Sequence, residues 1–376
     1  MLYDVIIVGA GIAGAALSRA LRVSGRNFLL IEQARELLQV GVGLSLWPNG
    51  QEAAAALGVD IEGGLGGVPW TRLVYWSGDR RLAEFDTRTF DPQQRAPLIL
   101  HRRDLHGALL SGIASENLSL GASICYVKKT ADIWTVRTED GCEFRTRFLI
   151  GADGWCSQVR EKLVPGNDIQ LTNYVCVRAV VKHQLPFPVG EGGEVFMRGG
   201  VRYGYFSVAQ DDIYWFAFLP RKLMKNQPIN DLLQESSKEN TICDELIRIT
   251  DPDTQIVSDI GDMKPVVSVD DSRFVLLGDA AHPMQPSFGQ GAGLALEDAA
   301  SLADVLQTCP SIDDVPTAYF ARRRQRWRQM YAASRFAGLV QQSDFGTVRA
   351  VSLMSLQRVP QNLFTRRARR LFRNDA

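Results

Sequence analysis

The chain has 376 residues, 45% hydrophobic and 22% charged, which is enough to bury the core of two domains or of one large domain with an insertion. There are 42 lysine and arginine residues and 42 aspartate and glutamate residues, so the net charge is zero. The chain therefore lacks the positive charge that would favour binding to nucleic acid. The six cysteines form no C-x-x-C pair, and the four histidines offer no zinc spacing, so no metal site is expected. The apolar run at 5–17 lacks the basic start of a signal peptide and is too short to span a bilayer. The sequence therefore predicts a cytoplasmic protein with reduced, mostly buried thiols.

The hydrophobic pattern predicts a βαβ unit at the start of the chain and a mostly antiparallel sheet over 170–265. Asn49 and Glu52 have the spacing of a capping box at the start of one helix. In chain order, the predicted elements are a strand at 3–8, a helix at 13–21, a strand at 28–31, a helix at 51–57, strands at 73–76 and 98–100, a helix at 104–115, strands at 123–128, 134–138, 144–150, 174–181, 204–207, 213–219 and 274–277, and a helix at 294–306.

A glycine-rich turn joins the first predicted strand to the first helix. Gly9, Gly11 and Gly14 have the G-x-G-x-x-G spacing, which allows a tight turn, close approach of a pyrophosphate and packing of helix on strand. Glu32 ends the next strand, where a carboxylate would accept hydrogen bonds from ribose hydroxyls. This pattern predicts a dinucleotide, but it does not distinguish NAD from FAD.

Two later stretches narrow the choice. The sequence GADG at 151–154 precedes Ser157, Val159 and Arg160, and GDAAHP at 278–283 precedes Pro286 and GQG at 289–291. In order and spacing, the three stretches resemble the single-component FAD-dependent aromatic hydroxylases, the family of para-hydroxybenzoate hydroxylase. The segments 41–50 and 101–105 are most similar to its salicylate and quinolone hydroxylase branch.

The resemblance implies a set of FAD contacts beyond the first glycine-rich turn. Asp279 would bind a ribityl hydroxyl, Arg102 the ribityl and pyrophosphate region, and Val127 the adenine through its backbone. The full set of further cofactor-binding residues is Gly43, Arg102, Val127, Asp153, Asp279, Pro286, Gly289 and Gly291. Many relatives have an asparagine where this chain has Gly293, which puts one hydrogen bond in doubt. His282 is interpreted as support for the turn, with a catalytic base as the alternative.

The implied fold is α/β, with a discontinuous Rossmann-like FAD-binding domain (GR2-type), a mostly antiparallel β-sheet substrate domain and a C-terminal helical segment. The predicted domains are FAD binding at 1–72, 101–168 and 266–330, substrate binding at 73–100 and 169–265, and C-terminal helices at 331–376. Arginine clusters at 322–328 and 366–373 are interpreted as solvated helix faces, with contact with an anionic membrane as the alternative.

The implied reaction is a monooxygenation. NADH or NADPH would bind transiently and reduce FAD, O2 would form a C4a-hydroperoxyflavin, and one oxygen atom would pass to an electron-rich aromatic or heteroaromatic small molecule. A flavin halogenase is disfavoured because no lysine precedes Lys128 and the W-x-W-x-I-P run is missing. A flavin epoxidase acting on an alkene and a dinucleotide-binding sensor without turnover stay open. A monomer or a homodimer is expected.

Two aromatic-rich segments are the candidate substrate site. Period-two alternation places Arg202 on one face of its strand and both Tyr203 and Tyr205 on the other, while Tyr214 and Phe216 share a face of the next segment. Arg202 would bind an anionic group or a developing phenolate, and Tyr214 would orient or deprotonate a hydroxyl. Tyr203, Tyr205 and Phe216 are candidate substrate contacts. A structural ion pair for Arg202 and a core position for Tyr214 are equally favoured.

Overall fold

The computed structural model describes residues 1–37, 42–184, 187–225, 227–271 and 273–341, together with Arg369 and Phe372. These residues form seventeen strands, which in chain order are β1 Leu2–Val8, β2 Phe28–Ile31, β3 Gly43–Leu46, β4 Val68–Pro69, β5 Arg72–Ser77, β6 Arg80–Asp86, β7 Leu98–His101, β8 Leu118–Ser119, β9 Ile124–Thr130, β10 Ile133–Thr138, β11 Glu143–Gly151, β12 Gln170–Lys182, β13 Glu191–Phe196, β14 Arg202–Ser207, β15 Asp212–Pro220, β16 Ile256–Asp262 and β17 Phe274–Leu276. The α-helices are α1 Ile12–Val23, α2 Pro48–Ala56, α3 Ile61–Gly64, α4 Arg102–Leu110, α5 Gln158–Leu163, α6 Ile229–Ser237, α7 Thr241–Ile249, α8 Gly291–Thr308 and α9 Val315–Gln341.

The first sheet has the strand order β8-β2-β1-β11-β10-β9, and β17 also pairs with β11. Strands β8, β2, β1, β11 and β17 run parallel to one another, whereas β10 pairs antiparallel with β11 and β9 antiparallel with β10. The apolar residues of β1 and β2 lie in the largest hydrophobic core, which also takes in α1 and α8. Burial on both faces explains why these strands are continuous apolar runs rather than alternating ones.

The second sheet has the order β16-β12-β15-β14-β13-β5-β6, with antiparallel neighbours except at the parallel pair β13–β5. A small third sheet, β3-β7-β4, is the remaining one in the described part of the chain. Helices α6 and α7, which the sequence interpretation did not include, pack on one face of the second sheet through Leu232, Leu233, Leu246 and Ile247. The opposite face of this sheet is available for packing against the first domain.

Several expectations about element ends and boundaries are wrong. Asn49 lies inside α2, which starts without a side-chain cap, so the predicted capping box with Glu52 does not form. The predicted boundary at 72/73 falls inside β5, and that at 330/331 falls inside the continuous helix α9. The predicted helices beyond residue 341 fall outside the described residues, apart from Arg369 and Phe372. The other domain boundaries stay predictions.

The arginine cluster at 322–328 is not a uniformly solvated face. The side chains of Arg323 and Arg326 are buried against α8, where they pair with Glu297, and Arg323 also pairs with Asp298. Four buried charges that neutralise one another make this contact possible. The expectation that the thiols are mostly buried is also wrong, because Cys125, Cys142 and Cys156 are exposed, although all six cysteines are free.

Candidate active site

Three turns that are far apart in the sequence meet at one edge of the first sheet. Val8 at the end of β1 is paired with Gly151 of β11, and Gly151 is paired in turn with Leu276 of β17. Because these strands are parallel, the turns that follow them lie side by side at their carboxyl ends. This edge is the usual ligand site of an open α/β sheet.

The contacts between these turns leave no room for side chains. Gly9 has φ +101°, and a Cβ there would lie 2.4 Å from the carbonyl oxygen of Ala152. A Cβ on Gly14 would lie 1.9 Å from the carbonyl oxygen of Gly9, which explains why α1 can pack closely on β1. At Gly11, which precedes the first residue of α1, a Cβ would meet no atom within 4 Å. The start of α1 is therefore open to a ligand.

Glu32 and His106 hold the backbone of Ala10, the residue after Gly9, in place. The backbone N–H of Ala10 donates to Glu32 Oε2 at 2.7 Å, and that of Ala34 donates to Oε1 at 2.9 Å. His106 Nε2 lies 2.5 Å from the carbonyl oxygen of Ala10. Both Glu32 oxygens have further lone pairs, so these bonds are compatible with the predicted binding of ribose hydroxyls.

The second motif is tied to the third by Arg160. Asp153 accepts hydrogen bonds from Ser157 Oγ at 2.5 Å and from the backbone N–H of Val159 at 3.0 Å, which holds the start of α5. Arg160 donates to the carbonyl oxygens of Trp155 at 2.7 Å and of Ala280 at 3.0 Å. Asp153 therefore orders its own loop, and Arg160, to which the sequence interpretation gave no role, links the two motifs.

Asp279 and Arg102 are near enough for the charge of each to affect the pKa of the other. The Asp279 side chain is accessible to solvent, but many protein atoms lie around it. The resulting desolvation raises the pKa of its carboxyl, and the charges of His282 and Arg102 partly offset this rise. Burial lowers the pKa of Arg102, and the charge of Asp279 opposes that shift. An accessible carboxylate beside a guanidinium suits a ligand that carries both hydroxyl and phosphate groups.

The loop before α8 presents a second helix start to the cleft. Gly291, the first residue of α8, is exposed, and a Cβ there would meet nothing within 4 Å. Pro286 is also exposed, and a Cβ on Gly289 would lie 2.2 Å from Ser45 Oγ. Without a side-chain cap, the first N–H groups of α8 are free to stabilise negative charge on a ligand.

The neighbouring residues explain why this chain has Gly293 where many relatives have an asparagine. Asn49 Nδ2 donates to Gln290 Oε1 at 3.0 Å and to Glu297 Oε1 at 2.5 Å. A Cβ on Gly293 would lie 3.4 Å from Asn49 Nδ2, and a Cβ on Gly50 would lie 2.9 Å from the Cα of Gly293. The Asn49 amide, supplied by α2, therefore occupies the space above Gly293.

His282 is part of a buried network beneath the third motif. Its Nε2 lies 2.5 Å from Asp298 Oδ2, which also accepts the N–H of Gly278 at 3.2 Å. Arg323 and the Trp327 indole both donate to Asp298 Oδ1 at 2.8 Å. With His282 only 1% exposed, this arrangement favours structural support of the turn over a role as base.

Gly43 and Val127 have surroundings that the motifs did not indicate. A Cβ on Gly43 would lie 2.5 Å from the ring of Tyr214, so this glycine admits the Tyr214 ring between β3 and β15. His101, opposite Gly43, contacts Asp212 at 2.9 Å and joins the small sheet to the second sheet. Val127 lies in the edge strand β9 opposite Val136. Cofactor contacts at both positions stay predictions.

The register of β14 and β15 separates the candidate substrate residues. Phe206 is paired with Tyr214 and Gly204 with Phe216, which puts Phe206, Tyr214 and Phe216 on one side, here called the aromatic face. The same hydrophobic cluster includes Trp47 and Phe288, which the sequence interpretation had not assigned to the site. Trp47 lies in the segment 41–50, whose similarity to one branch of the family could have indicated it as a candidate site residue.

Tyr203 and Tyr205 were wrongly grouped with Phe216. Tyr203 is paired with Ala217 and lies on the opposite side of the sheet, where its hydroxyl contacts the carbonyl oxygen of Leu233 at 3.1 Å. Tyr205 shares that side and packs against Phe187 with ring centroids 4.7 Å apart. Both rings are buried, because α6 and α7 cover this side of the sheet.

Arg202 lies on the same side as Phe216 but already has partners. Its Nη1 lies 3.5 Å from Glu194 Oε2 and also contacts Gln341, and its guanidinium carbon lies 4.3 Å from the Phe218 ring centroid. The side chain is 1% exposed. These contacts favour the structural ion pair, and direct binding of substrate by Arg202 stays a prediction.

These features together fit FAD. The open starts of α1 and α8 would face its pyrophosphate and its flavin, Glu32 its ribose, and Asp279 with Arg102 its ribityl chain. In the described parts of the chain, no group of three or more histidine, cysteine, aspartate or glutamate side chains could hold a metal ion. Nor is any helix in those parts long and apolar enough to cross a membrane.

Comparisons with known proteins agree with this site. The sequence profile described as "FAD binding domain" matches residues 2–334. The chain is 32% identical to aurachin C monooxygenase/isomerase of Stigmatella aurantiaca, covering 90% of this chain and 89% of that protein. It is 31% identical to 2-heptyl-3-hydroxy-4(1H)-quinolone synthase of Pseudomonas aeruginosa, with coverage of 80% and 79%.

A solved structure confirms the fold. The crystal structure of Klebsiella pneumoniae HpxO complexed with FAD and uric acid superposes with a TM-score of 0.89 at 23% identity, covering 98% of this chain and 96% of that one. The predicted α/β fold is therefore confirmed. The profile match over residues 2–334 shows that the chain belongs to the FAD-binding domain family, which confirms the predicted FAD cofactor, and the chain is an FAD-dependent monooxygenase.

Proposed function

We propose that this enzyme hydroxylates a planar, fused-ring nitrogen heteroaromatic of the quinolone type. The observation that carries the proposal is the aromatic face of the second sheet, where Phe206, Tyr214 and Phe216 lie with Trp47 and Phe288 in one apolar cluster. Flat rings pack well on such a surface, and a few polar groups then fix their orientation. Relatives named for a quinolone and for urate support this class.

The residues around the aromatic face would do three things. They would orient the substrate, exclude water, and hold its polar edge toward the cofactor cleft. FAD, held by the residues described above, would supply the redox chemistry, namely hydride acceptance from NADH or NADPH and activation of O2 for transfer of one oxygen atom. Tyr214 is the candidate polar group, because it belongs to the aromatic face and its ring packs directly against Gly43.

The test is turnover on a defined panel. Purified protein should be yellow with FAD, and 4-quinolones should stimulate consumption of NADH or NADPH and gain one oxygen atom. Product connectivity separates hydroxylation from epoxidation of an alkene, and the two coenzymes tested in parallel show which is used. If monocyclic phenols are turned over and quinolones are not, the substrate proposal is wrong while the monooxygenase assignment stands.

Replacing Tyr214 by phenylalanine is expected to lower kcat/KM by roughly ten- to a hundredfold without loss of FAD. Burial raises the pKa of Tyr214, so the hydroxyl stays protonated in ordinary assay buffers and acts as a hydrogen-bond donor. The loss should therefore be constant between about pH 6 and pH 9. A loss that changes with pH in that range would show that Tyr214 ionises during turnover.

Replacing Arg202 by alanine is expected to lower stability more than substrate affinity. The variant leaves Glu194 buried without its charge partner, which costs about 3–5 kcal/mol when both members of a pair are buried. Urea unfolding and the KM for the accepted substrate, measured on samples with equal FAD content, separate the two effects. A large rise in KM with unchanged stability would assign Arg202 to the substrate site.

The remaining expectations about the molecule in the cell are also proposals. We propose a cytoplasmic enzyme that acts as a monomer or homodimer and needs no membrane contact. Sedimentation of the holoenzyme gives the oligomeric state, and flotation with anionic phosphatidylserine vesicles tests the membrane alternative.

A further inference from the structure

Arg178 lies on the aromatic face beside the candidate substrate position. In the pairing of β12 with β15, Arg178 is opposite Phe216, and Val180, two residues further on, is opposite Tyr214. Side chains that are directly opposite in an antiparallel pair share one face, and diagonal neighbours are within reach of long side chains. The half-buried Arg178 guanidinium therefore flanks both Phe216 and Tyr214.

Arg178 contacts a hydroxyl but no charged side chain in the described part of the chain. Its Nη2 donates to Ser258 Oγ at 2.5 Å, and its Nε is inaccessible to solvent and makes no hydrogen bond with any described residue. Among the described residues, no carboxylate forms an ion pair with it. By contrast, the buried Arg202, on the same side of the sheet, and Arg323, against α8, are both paired with carboxylates.

Arg102 adds a second guanidinium near this point. The charge of Arg178 contributes to the lowered pKa of Arg102, after the larger effect of burial. Arg178 also interacts with the Tyr214 hydroxyl and opposes the rise of its pKa. The charge of Asp279 acts on the pKa of Arg102 in the opposite direction. A partly desolvated site lined by guanidinium groups favours an anionic ligand.

We propose that Arg178 binds an ionised oxygen of the aromatic substrate, a phenolate, enolate or carboxylate, while the Tyr214 hydroxyl donates to the same edge. The inference rests on the proposed function and extends it from the ring system to the charge of the substrate. A guanidinium suits this task because it stays charged and offers several donors to oxygen. Holding a phenolate or enolate in its ionised form would also keep the ring electron-rich at the carbon that receives oxygen.

The test measures binding to the oxidised holoenzyme without turnover. The probes are 1-naphthoate, an anion, and 1-naphthamide, its neutral analogue of similar shape, with the flavin absorbance as signal. We expect the wild type to prefer naphthoate and Arg178→Met to weaken naphthoate binding about ten- to a hundredfold, the size of one charge-assisted hydrogen bond, without affecting naphthamide. Arg178→Lys should restore part of the loss.

Arg221→Met is the matched control, because Arg221 follows β15 and pairs at the surface with Asp259 at 2.5 Å. It should leave both probes unaffected. The proposal is wrong if the wild type shows no preference for naphthoate, or if Arg178→Met weakens both probes equally. It is also wrong if that variant loses FAD, or raises only the KM for NADH or NADPH. Failure of quinolone turnover alone would overturn the ring assignment and leave the probe result intact.

Discussion

Replacing Gly11 by alanine is expected to weaken FAD binding at least tenfold, about 1.4 kcal/mol, while leaving the apoprotein as stable as the wild type within about 0.5 kcal/mol. Gly11 has φ −64°, which alanine adopts without strain, and its Cβ would meet no protein atom within 4 Å. The same methyl group would stand where the pyrophosphate approaches the start of α1. Titration of the apoprotein with FAD and urea unfolding of the apoprotein measure the two quantities.

Gly14→Ala is the informative comparison. Its Cβ would lie 1.9 Å from the Gly9 carbonyl oxygen and 3.3 Å from Ile7 Cγ2, so α1 must move away from β1. We expect the apoprotein to lose about 1–3 kcal/mol or more through overpacking, with FAD binding weakened as a consequence. Unchanged FAD affinity in Gly11→Ala would mean that the pyrophosphate does not lie at the start of α1.

Replacing Arg323 by methionine is expected to destabilise the protein by about 3–5 kcal/mol. Arg323 and its partners Glu297 and Asp298 are all fully buried, so the variant leaves carboxylates in the interior with less compensating charge. Asp298 also accepts the N–H of Gly278, which places the third motif. Urea unfolding should therefore show lower stability, and FAD affinity should fall as well.

The neighbouring Arg322 provides the control, since it pairs with Asp304 at the surface, where the two side chains are 45% and 54% exposed. Arg322→Met should cost at most about 1 kcal/mol. Equal losses in the two variants would contradict the buried network as a source of stability.

The loss of folding stability at low pH gives a second way to test the same buried network. Although burial opposes ionisation, His282 and Arg323 hold the pKa of Asp298 at about 2, below its value of about 3.9 in an unfolded chain. A depressed carboxyl pKa contributes stability that is complete above about pH 4 and is lost as the pH falls toward 2. In Arg323→Met the pKa should rise, so acid unfolding should begin at a higher pH than in the wild type.

The sequence by itself determined the cofactor-binding half of this protein. Its buried parallel strands are continuous apolar runs, as at Phe28–Ile31, because both of their faces are covered. The turns that follow such strands carry short contiguous motifs, so Gly9, Asp153 and Asp279 could be proposed as cofactor-binding residues without coordinates. Parallel pairing of β1, β11 and β17 then brings these local signals to one edge.

Only the tertiary structure decided what each side of the second sheet does. Period-two alternation separates Tyr203 from Arg202 along a strand, but it carries no information about which side the helices α6 and α7 will cover. In the same way, one-dimensional spacing could not show that Arg323 faces α8 while Arg322 faces solvent, or that the Asn49 amide lies above Gly293. These outcomes depend on contacts between residues that lie 25 positions apart for Arg323 with Asp298 and 241 apart for Asn49 with Gln290. Such contacts form only when the two sheets and the long helices pack together.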